Sequence, residues 1–213
     1  DYEENFLEIE RAVKLLEKYP NNINNVIVGN ETLLRTDLNA AELGAYLDFM
    51  REFTNKPITC AETWDVWERI PDLAKHVDFI TIHILPYWEK VPIDRFNDFI
   101  IEKYTLVEKL FPYTKINIGE TGWPSHGYNN NNAVPSLKNQ AVAIRGFINL
   151  ASEKGWDYNI VEAFDQQWKG YDEGNVGQYW GIFTSDRELK FYLSGDIELN
   201  QYWLYQMIAA III

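Results

Sequence analysis

Short apolar runs rich in β-branched residues alternate with helically spaced apolar residues five times along this 213-residue chain. No other feature constrains its fold as much. The runs are residues 26–28, 58–62, 79–83, 116–120 and 160–164. Around them, Phe6, Ile9, Val13 and Leu16 recur at helical spacing, as do Leu43, Tyr46, Leu47, Met50 and Phe53. Further helical faces are marked by Val66, Trp67, Ile70 and Leu73, by Ile93, Phe96, Ile100, Val107 and Leu110, and by Ala141, Ile144, Phe147, Ile148 and Ala151. Asn39, with Glu42 three residues on, predicts a capped helix start. Strand and helix in alternation mean a parallel sheet with crossover helices.

Two architectures satisfy that pattern: a doubly wound open sheet and a (β/α)8 barrel. No glycine-rich phosphate loop follows any strand, which weakens the nucleotide-binding doubly wound alternative. Polar and aromatic residues instead gather after nearly every strand: Asn30-Glu31, Glu62-Thr63-Trp64, His83, Tyr87-Trp88, Glu120-Thr121-Gly122-Trp123 and 165–169. Barrel enzymes build their sites at those strand ends. A barrel has eight strands in about 250 residues. Only five are legible here, so the expectation is that three βα units lie upstream of Asp1. Residues 1–200 then form the C-terminal part of a catalytic barrel.

Composition narrows the function. The net charge is −13, from 32 acids against 19 bases, which disfavours nucleic acid as a partner because phosphate contacts need a basic surface. Eight Trp, 13 Tyr and 11 Phe fit either a large aromatic core or a cleft whose flat rings stack on sugars. Cys60 is the lone cysteine, so there is no intrachain disulfide, and its apolar neighbours predict an inert core residue. Three histidines without ligand spacing give no reason to expect a metal or other cofactor. No initiator Met or signal peptide is visible, and the chain reads as part of something longer. Residues 201–213 are strongly apolar but too short to span a bilayer alone. They are expected to form either a packing helix or the start of a transmembrane helix with Trp and Tyr at the interface.

Glycoside cleavage commonly needs two carboxyl groups flanking one bond, and a parallel barrel can supply them from two strand ends. Glu31 and Glu120 each end an apolar strand, and each has a glycine within the two preceding residues. Around them, Val28-Gly29-Asn30-Glu31 and Ile118-Gly119-Glu120-Thr121-Gly122-Trp123-Pro124-Ser125 resemble the two signature segments of glycoside hydrolase family 17. Tyr87 after His83-Ile84-Leu85-Pro86 resembles that family's strand-six tyrosine. Residues 164–169 and 179–183 resemble its strand-eight region, with Lys169 retained and Gln166 where plant members carry Glu. Residues 180–193 look more like bacterial members. The resemblance covers strands four to eight of the family barrel.

The resemblance implies a (β/α)8 barrel acting on β-1,3-glucan by a retaining double displacement, as a glucanase or a glucanosyltransferase. In that reading Glu31 is the acid/base and Glu120 the nucleophile, with their carboxyls roughly 5–5.5 Å apart. Burial or a nearby anion would be needed to keep Glu31 protonated near neutral pH. Asn30 is expected at the sugar 2-OH, and Tyr87, Trp123, Trp168 and Lys169 along the substrate. Glu62 is expected either near Glu120 or as a cap of the following helix, and His83 as a hydrogen-bonder at the barrel mouth. The expected partner is β-glucan. The protein is expected to be monomeric, outside the cytoplasm and attached to a membrane if the apolar tail continues. The alternatives are an inactive carbohydrate-binding derivative, which would lose a carboxylate, and a fragment inactive because its barrel is incomplete.

Overall fold

The computed structural model describes residues 2–197 and 203–212. Five strands form one sheet in the order β1-β2-β3-β4-β5. They are β1 (Val26–Asn30), β2 (Ile58–Thr63), β3 (Ile80–His83), β4 (Ile116–Thr121) and β5 (Asp157–Ile160). The pairings of β1 with β2, β2 with β3 and β3 with β4 are parallel. Strand order follows chain order with no reversal. A doubly wound sheet has such a reversal, and its ligands bind at that switch point. The sheet is therefore singly wound, as in α/β barrels.

Five helices accompany the strands: α1 (Tyr2–Lys18), α2 (Ala40–Arg51), α3 (Trp64–Arg69), α4 (Phe96–Leu110) and α5 (Leu137–Lys154). Their ends follow the sequence. Asn39 Oδ1 accepts from Glu42 N at 3.0 Å while Glu42 Oε2 accepts from Asn39 N at 2.8 Å, the reciprocal cap expected of that pair. Ser136 Oγ accepts from Asn139 N at the start of α5, and Gly155 closes the helix at φ 67°, where a residue without Cβ meets little strain.

The chain divides into two compact units. The first comprises residues 1–84, 101–120 and 156–159 and holds most of the sheet. Its core is apolar and tight. Leu47, Ile58, Cys60, Val66, Trp67, Ile80 and Ile82 are wholly enclosed. Trp67 donates to Thr81 O at 2.9 Å, satisfying its one polar atom, as buried indoles usually require. Trp156 stacks on Tyr104 with ring centroids 4.0 Å apart. Burial pushes the Cys60 thiol up to about 12, so it behaves as an inert core group.

The second unit comprises residues 85–100, 121–155 and 160–213. Within it Tyr87 is ringed by Trp88, Trp123 and Trp180, with centroids 5.0–5.9 Å away, and α5 buries Ala141 and Ile144 against Phe191. Lys190 donates to Asp165 at 2.6 Å and to Ser125 Oγ at 2.8 Å, with both charged side chains 8% exposed. Asp165 also accepts from Gly181 N at 3.0 Å, so this buried pair ties together the segment after β4, the segment after β5 and residues 181–190.

The fifth strand departs from expectation. It runs over Asp157–Ile160, not 160–164, because residues 162–165 leave the sheet and exchange backbone hydrogen bonds with residues 180–183. Asp157 and Asn159 point outward along it, so the strand lacked the apolar run that marks the other four.

The apolar tail contains a helix, α6 (Trp203–Ile212). Residues 203–211 are all exposed. Among the described residues, no helix is long and apolar enough to cross a membrane. The expected boundary at residue 200 and the tail residues 201, 202 and 213 lie outside the described residues.

Candidate active site

The first unit brings Glu31, His83 and Glu120 together at the C-terminal ends of β1, β3 and β4. One oxygen from each carboxylate and a ring nitrogen of His83 all lie within 4.8 Å of one another. His83 Nδ1 is 3.0 Å from Glu31 Oε1 and 3.7 Å from Glu120 Oε2. The imidazole is 1% exposed, whereas the Glu31 and Glu120 side chains are 21% and 31% exposed. Two carboxylates thus face solvent over a buried histidine.

Both strands that carry a carboxylate contain one extra residue just before it. In β1 the register passes from Ile27 opposite Thr59 to Asn30 opposite Ala61. In β4 it passes from Ile118 opposite Ile82 to Glu120 opposite His83. Each is a bulge, and one inserted residue turns the following side chain onto the other face of the sheet. Gly29 sits in the first at φ 84°, a conformation open to glycine. Glu31 itself holds φ 54°, which costs a residue with a side chain on the order of 1–2 kcal/mol and is a form of strain concentrated at functional positions. Gly119 sits in the second. A Cβ there would fall 2.5 Å from Thr81 Cγ2 and 2.9 Å from the His83 ring, so only glycine leaves room for the imidazole.

The turn after Glu31 is held from below. Glu62 is wholly enclosed and accepts from Thr32 Oγ1 at 3.1 Å, Leu33 N at 2.8 Å and Leu34 N at 3.2 Å. Burial holds its carboxyl above the usual carboxylate range, against the pull of these donors. Glu62 is not exposed to a substrate: its oxygens are committed to the backbone of the turn that follows Glu31. Nor does it cap the helix beginning at Trp64, where the cap position Thr63 makes no side-chain cap bond.

Other expected residues divide in the same way. Asn30 is exposed beside Glu31, and its carbonyl accepts from Arg35 at 2.5 Å. In the second unit, Tyr87 and Trp123 are fully buried. The Tyr87 hydroxyl donates to Tyr128 O at 2.7 Å and Trp123 Nε1 to Val134 O at 3.2 Å. Both belong to the aromatic core rather than to a surface a sugar could reach, and burial pushes the Tyr87 phenol up from its ordinary range. Trp168 is different, with 60% of its surface exposed. Its Nε1 donates to Gln166 Oε1 at 2.7 Å, Gln166 donates in turn to Glu162 Oε2, and Lys169 Nζ reaches the same oxygen at 2.9 Å.

Three interacting residues, one in the first unit and two in the second, escape a reading of the sequence. Arg35 places Nη1 3.6 Å from Glu31 Oε2; the spacing of four residues was its signal. Glu162, the partner of Lys169, and the relay role of Gln166 were not signalled, since their geometry depends on the turn after β5. Among the described residues, the group of His, Cys, Asp and Glu close enough to share a cation is the same Glu31, His83 and Glu120 trio. Glycoside chemistry of the two-carboxylate type requires no cation there.

Residues 1–181 match the family model of the BtgE/BtgC glycoside hydrolase domain. The chain is 28% identical over 194 residues to the glucan 1,3-beta-glucosidase of Saccharomyces cerevisiae, covering 80% of this chain and 61% of that protein. It is 27% identical over 202 residues to the Candida albicans glucan 1,3-beta-glucosidase, covering 82% and 63%. This chain thus spans about three fifths of the length of those relatives. The glycoside hydrolase family 17 beta-1,3-glucanosyltransferase of Rhizomucor miehei superposes with a TM-score of 0.75 at 27% identity, over 85% of this chain and 69% of the other. An endo-laminarinase from Formosa Hel1_33_131 shares the fold, with a TM-score of 0.74 at 19% identity, over 95% of this chain and 62% of that one. The match of residues 1–181 to that family model makes the chain a member of the BtgE/BtgC glycoside hydrolase domain family, within glycoside hydrolase family 17.

Proposed function

We propose that the protein cleaves or rearranges β-1,3-glucan by double displacement, with Glu120 as nucleophile and Glu31 as acid/base. The observation that carries this reading is the spacing of the two carboxylates, an oxygen of each lying within 4.8 Å of the other. The proposed arrangement is the retaining one, with the carboxyl groups about 5–5.5 Å apart rather than the roughly 6.5–9.5 Å that admits a water in inverting enzymes. The substrate class rests on the relatives, which are glucan 1,3-beta-glucosidases and a beta-1,3-glucanosyltransferase.

The steps follow from the groups present. The ionised Glu120 oxygen bonds to the anomeric carbon as the glycosidic C–O bond breaks, and the departing oxygen takes the proton of Glu31. A hydroxyl, from water or from another sugar, then attacks that carbon. Its proton passes to Glu31 and the bond to Glu120 breaks. Asn30, exposed beside Glu31, is the residue assigned to the sugar 2-OH in this reading. Hydrolysis and transfer use the same residues and differ in the acceptor. Mass spectrometry of products from a β-1,3-gluco-oligosaccharide tests the reading: shortened chains mean hydrolysis and lengthened chains mean transfer. An unaltered substrate with the full-length protein would refute both.

Trp168 is the proposed sugar platform. Trp168→Ala is expected to raise KM by about two- to tenfold, since one aromatic stacking contact is worth about 0.5–1.5 kcal/mol. The value of kcat should stay within about threefold and thermal stability should hold, because the ring is 60% exposed. An unchanged KM would remove Trp168 from the binding surface.

The finer fold reading is that β1 to β5 are strands four to eight of an eight-stranded barrel. It is supported by the singly wound strand order and by coverage of 69% of the glucanosyltransferase. Extending the protein upstream by three βα units is expected to raise its melting temperature; no change would count against this reading. Action on glucan outside the cytoplasm, as a monomer, completes the proposal. Cell fractionation and light scattering test those two points, and a cytoplasmic or dimeric protein would contradict them.

A further inference from the structure

We propose that His83 is a positioning residue serving both carboxylates in turn, its Nδ1–H following the negative charge from Glu120 to Glu31 as the reaction proceeds. This rests on the roles given to the two glutamates above. His83 Nδ1 lies 3.0 Å from Glu31 Oε1 and 3.7 Å from Glu120 Oε2, so a small ring rotation exchanges the near partner. At 1% exposure the ring is closed to solvent, which limits competition from water for that nitrogen. Gly119 leaves the space the ring occupies, since a Cβ there would meet His83 Cδ2 and Nε2 at 2.9 Å. An ionised carboxylate only accepts hydrogen bonds, so the nitrogen between the two groups carries a hydrogen whenever one of them is charged.

The charge moves during the reaction and the donor does not have to leave. Before attack the charge sits on Glu120 and Glu31 holds the proton, so Nδ1–H donates to Glu120. After attack the Glu120 oxygen is an ester and Glu31 has given up its proton, so Nδ1–H donates to Glu31. The second displacement reverses the exchange. The hydrogen stays on Nδ1 throughout and no bond to the histidine forms. A charge-assisted hydrogen bond of this kind is stronger than a neutral one, and here the low accessibility of the ring adds to it. Arg35, 51% exposed and 3.6 Å from Glu31 Oε2, faces the other oxygen of Glu31 and is open to solvent.

The test uses the full-length protein with His83→Asn, His83→Asp and His83→Leu, three replacements of nearly one shape. Asn places an N–H near the position of Nδ1, Asp an acceptor, Leu neither. Each is assayed on a β-1,3-gluco-oligosaccharide and on a dinitrophenyl β-laminaribioside, whose leaving group needs no proton. Asn is expected to keep kcat within about tenfold of the parent. Leu should lower it by on the order of 10²–10³ on both substrates and Asp by more, with KM within about threefold throughout. A Leu variant with parental kcat, or an Asn variant as slow as Leu, would overturn the inference. So would a loss confined to the oligosaccharide, which would tie the histidine to Glu31 alone. Should the Leu variant fail to fold, the isosteric Asn and Asp pair decides. The underlying roles are checked separately with azide: Glu31→Ala should yield the β-glucosyl azide and Glu120→Ala the α-glucosyl azide. If those products form while the His83 series fails, only the histidine inference falls; if they do not form, the carboxylate roles fall with it.

Discussion

Glu120→Gln is expected to lower kcat by on the order of 10⁴-fold or more, as loss of a covalent nucleophile does elsewhere, without lowering the melting temperature. Two carboxylates with oxygens within 4.8 Å of each other repel when both are charged, and the 31% exposed Glu120 side chain leaves no cavity when it becomes an amide. Removing one charge should leave stability unchanged or raise it slightly, the usual relation between a strained site and its scaffold. Activity assays paired with thermal melts check both halves. A variant that loses stability in proportion to activity would make Glu120 a structural residue.

Lys190→Met is expected to have the opposite signature. It strips a buried cation from Asp165 while both side chains are 8% exposed, leaving a carboxylate with Gly181 N but no countercharge. Burial already holds the Lys190 amine below its usual range, with Asp165 pulling it back up. Breaking such a pair from one side costs about 3–5 kcal/mol, or roughly 6–20 °C in melting temperature for a chain of this size. The paired change Lys190→Met with Asp165→Leu should recover much of that loss. A single variant melting within about 2 °C of the parent would show that the pair contributes nothing.

Much of this organisation is legible in the sequence because it depends on local rules. The cap at Asn39 and Glu42 is a four-residue signal, and β2 and β3 are buried almost throughout because both faces of a central parallel strand are covered. The pairing of Glu31 with Glu120 was legible only through the resemblance of the segments around them to glycoside hydrolase family 17, not through the glycines before them. What those glycines do was not, since a bulge is a relation between two strands and is invisible in either one alone. β5 was displaced by three residues because Asp157 and Asn159 interrupt its pattern, while residues 162–165, which look like strand, pair with residues 180–183.

Three of the expected site residues are buried, and one cause hid that from the sequence. Tyr87 and Trp123 follow strands and Glu62 lies near the end of β2, and sequence spacing does not distinguish a side chain aimed at solvent from one aimed inward. Burial made the distinction: Tyr87 and Trp123 pack among aromatics, and Glu62 braces the turn that carries Glu31. Trp168 has the same composition signal and is exposed.

The central claim is a covalent, retaining mechanism, and the anomer released first tests it most directly. Proton NMR of a β-1,3-gluco-oligosaccharide during turnover, recorded faster than mutarotation, is expected to show the β-anomer of the new reducing end accumulating before the α-anomer grows in. Two displacements at one carbon restore its configuration. Initial accumulation of the α-anomer would mean a single displacement by water, and would contradict the assignment of Glu120 as nucleophile.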